Sequence, residues 1–177
     1  DSSTSRGLGD VYKRQDYIFA CVKPYAILDL LEGLEPAKDA VVVSMAAGLT
    51  LEQLQGAAGE GVPVVRVMPN TPMLVRRGMC TCAAGEHVSD AQMDGVRELL
   101  EAVGEVAVIP EKNIDAATAL AGSSPAYFFL VAEALVDAGV QLGLPATSLR
   151  SLPPRLRPAP ARCWPALAVR PPSCVPE

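Results

Sequence analysis

Between residues 16 and 110, short apolar runs alternate with stretches whose apolar residues recur at helical spacing. "DYIFACV" is one such run and is halted by Lys23-Pro24; "YAILDLLEGL" follows with helical periodicity. "AVVVSM" is continuously apolar and β-branched, as in a strand covered on both faces. Thr50-Leu-Glu-Gln53 spells a capping box at the next helix start, and "VPVVRVM" is the following strand. A run around Met79 to Ala84 comes next. A second capping box, Ser89-Asp-Ala-Gln92, opens a helix through about Val103, and "EVAVI" closes the series. Strand and helix in this rhythm predict an α/β fold with a partial, doubly wound, Rossmann-like sheet.

The pattern then changes. From 111 to 150 only helical signals remain, and "AYFFLVAEALVDAGVQLGL" is apolar around most of its circumference. Such a helix must be packed on nearly all sides, which predicts the start of an all-helical domain or a helical dimer interface. Two flanks fit neither pattern. Residues 1–15, "DSSTSRGLGDVYKRQ", are polar and aperiodic, and read as a disordered or non-native leader. Gly7-Leu8-Gly9 is no dinucleotide fingerprint, because Tyr12 stands where a third glycine is needed. Residues 151–177 hold eight of the chain's 16 prolines with four arginines, a density that forbids helix and central strand. This tail reads as disordered, either a polyproline ligand or the product of a slipped reading frame after Arg150.

Composition narrows the classes. The 177 residues are 50% hydrophobic and 20% charged, enough for one sizeable core. A net charge of -5 argues against nucleic acid, which needs a basic patch. No run reaches about 18 uninterrupted apolar residues and no signal peptide opens the chain, so a cytoplasmic protein without a membrane partner is expected. Five cysteines in no tight pattern argue against a disulfide framework. Cys80 and Cys82, two apart within a strand, read as small hydrophobes on one face, and no metal site is expected.

Candidate chemistry lies in the turns after strands, because ligands of open α/β sheets collect beyond the carboxyl ends of the strands. Three turns qualify: Val22, Lys23 and Pro24; Ser44 to Gly48 with Ala46 and Ala47; and Met68, Pro69, Asn70 and Thr71. If the strands are parallel, all three leave one edge. The second is small enough for close approach to its backbone, and the prolines around Asn70 and Thr71 hold that polar pair still. A fourth candidate is Ser123-Ser124-Pro125. Ser124 as N-cap with Pro125 at the first helical position gives a helix start that serves either as a simple cap or as a carboxylate or phosphate site.

"CVKP", "SMAAG", "RVMPNTP", "VGEV", "IDAATALAGSSPAY" and "EALVDAGVQLGLP" together resemble pyrroline-5-carboxylate reductase in order and spacing across residues 16–150. The resemblance implies reduction of the cyclic imine 1-pyrroline-5-carboxylate to L-proline by hydride from NADPH or NADH. It implies that the turns at Val22-Lys23 and Ala46-Ala47 line the cofactor and that Met68 to Thr71 borders its nicotinamide. It further implies a homo-oligomer, at least a dimer, with the small-molecule substrate between subunits near Ser123 and Ser124. The family's glycine-rich opening unit has no counterpart in residues 1–15, and its Ser-Pro-Gly-Gly-Thr-Thr-like loop has none in 151–177. No catalytic acid is therefore assigned, and the piece alone is expected to show little or no turnover. Two other classes are kept: a non-catalytic oligomerisation module, and another 6-phosphogluconate-dehydrogenase-like imine or hydroxy-acid reductase.

Overall fold

The computed structural model describes residues 15–37 and 39–145; the leader at 1–14 and the proline-rich tail lie outside the described residues. Five strands lie side by side in sequence order: β1 (Tyr17–Ala20), β2 (Val41–Ser44), β3 (Val64–Met68), β4 (Gly78–Ala84) and β5 (Gly104–Val108). Helices α1 (Pro24–Glu32), α2 (Leu51–Ala58) and α3 (Asp90–Glu101) join them. The strand valines explain themselves by alternation. Val42 and Val64 pack with Ile27, Leu31 and Leu54 on one face, whereas Val41, Val43, Val65 and Val67 pack with Met93, Val96 and Leu100 on the other. Both faces are covered, so both sets of side chains must be apolar.

The element starts follow from local chemistry. Lys23 is held extended (φ -66°, ψ 151°) by the proline that follows it, so β1 stops and Pro24 opens α1 where its missing N–H costs nothing. Both expected capping boxes form, Thr50 with Gln53 and Ser89 with Gln92. Thr50→Ala should lower stability by about 1 kcal/mol, read from the midpoint of urea unfolding.

One departure from the parallel pattern has a plain cause. β1, β2 and β3 run parallel, but β4 runs antiparallel to β3, with Met68 opposite Thr81, and β5 is parallel to β4. Only residues 69–77 connect β3 to β4, too few for a crossover of a dozen or more. The chain reverses through a 3₁₀ turn (Thr71–Val75) and Arg76 in the left-handed region, φ 55°. Pro72 sits in the first turn of this 3₁₀ element, where proline is tolerated.

After β5 the chain is helical from 111 to 141: a 3₁₀ turn (Glu111–Asn113), α4 (Ile114–Ala117), a π turn (Thr118–Gly122) and α5 (Ser124–Gln141). The molecule divides into two compact units at Pro125/Ala126. The first holds the sheet, its helices and the chain through the π turn; Ile114 is fully buried in its core. In the second, α5 exposes Tyr127, Phe128, Leu130, Val131 and Leu135. The stretch 111–141 is long and apolar enough to cross a membrane, with a window of mean hydropathy 1.4. Glu133 and Asp137 interrupt it, so no uninterrupted apolar run exists.

Candidate functional site

Because β1, β2 and β3 are parallel and adjacent, the three candidate turns leave the same edge of the sheet. Ala20, Ser44 and Arg66 stand in register across the three strands. Beyond Ala20 and Ser44 the chains remain together, since the Cys21 thiol meets the Met45 sulfur at 3.6 Å. The outer two turns are two strand spacings apart, roughly 10 Å. That is the width of a flat heteroaromatic ring with its sugar.

The side chains at this rim divide into those turned outward and those used within. Val22, Lys23, Pro24, Ala47, Gly48 and Thr71 are exposed. Lys23 makes no ion pair among the described residues, so its charge is available at the edge. Gly48 has φ +78°, and a Cβ built there would meet nothing within 4 Å. Its need for glycine is conformational, and the space above it is open. Ser44 and Ala46 turn inward: Ser44 is fully buried and its hydroxyl oxygen accepts the Ala46 amide at 3.3 Å. Only their backbones can face a ligand. The edge thus offers small exposed residues at Ala47 and Gly48 beside an unpaired cation at Lys23, a surface that a flat ligand can approach closely.

Asn70 is half-buried and spent within the protein. Its Oδ1 accepts the Met79 amide at 2.9 Å, and its Nδ2 donates to the Ala121 carbonyl at 2.9 Å. Met68 reaches the same π turn, with its Cε 3.7 Å from a Cβ placed on Gly122. The third turn thus forms a wall bound to the π segment.

Beneath the wall lies a charged cluster that the apolar reading of "VPVVRVM" passes over. Arg66 is 6% exposed in the middle of β3. Its guanidinium donates to Glu111 Oε1 at 3.1 Å and to Asp115 Oδ1 at 3.2 Å. Glu111 Oε1 also accepts the Leu51 amide at 2.6 Å, at the start of α2. A buried guanidinium needs such partners, and a carboxylate at a helix N-terminus is favoured by the dipole. One acid therefore ties β3, α2 and the 111–117 segment together. A basic residue inside an otherwise apolar run was the available signal.

The serine pair corrects an expectation. Ser124 is the first residue of α5 rather than its N-cap, and Ser123 before it is already in the helical region (φ -88°, ψ -25°). The Ser123 amide donates to the Thr118 carbonyl at 2.8 Å. The chain enters α5 from a π turn, so this is no open helix N-terminus with amides waiting for an anion. Both serines are half-buried.

Cys80 and Cys82 are completely buried on the α3 face of the sheet. Burial pushes both thiols up, Cys82 to about 12 with the Cys80 charge adding to it. The sign follows: unfolded thiols ionise near 8.5, so this contribution to stability is intact below that pH and is lost as pH rises towards about 12. At pH 8 iodoacetamide should modify Cys21, which is exposed, while Cys80 and Cys82 react only as fast as the chain unfolds. Peptide mass mapping checks this. A separate cavity of about 250 Å³ is lined by Arg76, Arg77, Gly78, Glu101, Gly104 and Glu105; no rim residue lines it.

Residues 111–153 match the family model for pyrroline-5-carboxylate reductase dimerisation. The Corynebacterium melassecola pyrroline-5-carboxylate reductase is 49% identical over 142 residues, 77% of this chain and 53% of that protein. Among solved structures, the Plasmodium falciparum pyrroline carboxylate reductase with NADP bound gives a TM-score of 0.81 at 29% identity, covering 88% of this chain and 60% of that one. The Streptococcus pyogenes 1-pyrroline-5-carboxylate reductase also gives 0.81, at 30% identity, covering 96% and 66%. The chain spans about half the length of the curated relatives it matches.

Proposed function

We propose, for a chain that belongs to the pyrroline-5-carboxylate reductase family over the half of that protein it spans, that it supplies the nicotinamide end of the active site and the start of the subunit interface. The reaction is reduction of 1-pyrroline-5-carboxylate to L-proline. NADPH, or NADH, would supply the hydride to the imine carbon. The observation that carries this reading is the common edge of the three turns after β1, β2 and β3, in a sequence 49% identical to a named reductase.

In this reading the backbones at Val22, Lys23, Ala46, Ala47 and Gly48 form the floor, with Pro24 and Ser44 fixing their turns. Met68, Pro69, Asn70 and Thr71 form the wall that stops ring rotation. Holding two flat partners face to face converts lost orientational freedom into rate. Ser123 and Ser124, on the segment bound to that wall, border the substrate. Residues 16–110 form the partial dinucleotide-binding domain and 111–150 the start of the dimerisation and substrate domain. The exposed apolar side of α5 is covered by a second copy rather than by lipid; the matched dimerisation model supports this choice. A cytoplasmic, homo-oligomeric parent enzyme follows.

The test is a chimera. Residues 16–150 replace the matching stretch of the Corynebacterium melassecola reductase, and NADPH-dependent proline formation is measured. Turnover within tenfold of the parent supports the reading; a soluble, folded chimera without turnover contradicts it. The 177-residue chain alone should turn over at least 100-fold more slowly.

A further inference from the structure

We propose that Asn70 is a positioning residue, whose side-chain amide replaces the hydrogen-bond donor that Pro125 removes from the helix. In an α-helix the carbonyl of Ala121 would accept from the amide four residues on. That residue is Pro125, which has no N–H and whose ring crowds the same carbonyl. The chain answers by widening into the π turn Thr118–Gly122, in which Ser123 donates to Thr118 instead. Ala121 is left with a carbonyl that no local amide can serve at the α position.

Asn70 Nδ2 meets that carbonyl at 2.9 Å from 51 residues away. The orientation of the side-chain amide is fixed by chemistry. Its other end faces the Met79 N–H at 2.9 Å, which requires an oxygen, while a carbonyl requires the nitrogen. The side chain therefore spans from the first residues of β4 to the π turn, and the wall at Met68–Thr71 is locked to the segment that carries Ser123 and Ser124. Pi turns recur where a helix is bent for a purpose. Here the bend is paired with a donor supplied from the rim. That this lock sets the spacing between nicotinamide and substrate rests on the function proposed above; the lock itself does not.

Hydrogen exchange on the 177-residue chain separates the two ideas. Asn70→Ala should accelerate exchange at the Ser123 amide and across 118–126 by at least tenfold, and at Met79 as well. Asn70→Asp keeps an acceptor for Met79 but loses the donor, so Met79 stays protected while 118–126 opens. Lowering the pH protonates the introduced carboxyl, restores a donor and should recover protection in 118–126; Asn70→Ala shows no such recovery. The decisive arm is Pro125→Ala, which returns an amide to the Ala121 carbonyl. On that background Asn70→Ala should change exchange in 118–126 by less than threefold. An equal acceleration with and without Pro125 would overturn the proposal, as would an unchanged 118–126 segment in Asn70→Asp. Neither result would bear on whether the chimera turns over, so the two readings fail separately.

Discussion

Gly104→Ala is expected to cost about 3 kcal/mol or more. A Cβ at this position would run into the Gly78 carbonyl oxygen and lie 2.5 Å from that residue's backbone carbon and nitrogen. Those atoms belong to the strand directly opposite, because Gly78 pairs with Gly104 where β4 and β5 begin. No flexible side chain can yield, so relief requires parting the two strands. Gly48→Ala provides the contrast. There the surroundings are open and only the positive φ is strained, so a loss of about 1 kcal/mol is expected. Urea midpoints of the two variants measure the difference. Equal losses would mean that the close approach of β4 and β5 relaxes cheaply.

Glu111→Ala is the second large effect, at about 2–3 kcal/mol. It strips the Leu51 amide of its acceptor and leaves the buried Arg66 with one remaining partner among the described residues, Asp115, whose side chain is 90% exposed. Glu111 is itself 32% exposed, which places the loss below that of a fully buried pair. Asp115→Ala should stay within about 0.5 kcal/mol, because its contact with Arg66 is made in water. Arg66→Met should cost less than Glu111→Ala. It removes the buried charge and leaves a carboxylate that water and the Leu51 amide still satisfy. A denaturation series in which Asp115 matters as much as Glu111 would contradict the assignment of Glu111 as the tie between β3, α2 and the helical segment.

What could be read from the sequence is what depends on neighbours along the chain. The two capping boxes, the Lys23-Pro24 stop and the fully apolar valine run each carry their own local cause, and each stands where expected. The reversal at β4 was readable in principle, since nine residues cannot make a crossover. It was missed because strand periodicity carries no direction. The site was less legible. Asn70 looked like a group offered to a ligand, and the structure shows its two ends used on Met79 and Ala121. Ser124 looked like a helix cap until the π turn before it supplied the helical backbone. Arg66 joins residues 45 and 49 positions away. Partners at such separations are set by the fold, and no local spacing announces them.

The proposed grip of the three turns after β1, β2 and β3 on one nicotinamide can be observed in solution. The ¹⁵N-labelled chain is titrated with NADPH while its backbone amides are followed by NMR. Val22, Lys23, Ala47, Gly48 and Thr71 are expected to shift together along one binding curve. Shifts that gather around Arg76 and Arg77 while those five amides stay still would contradict that grip.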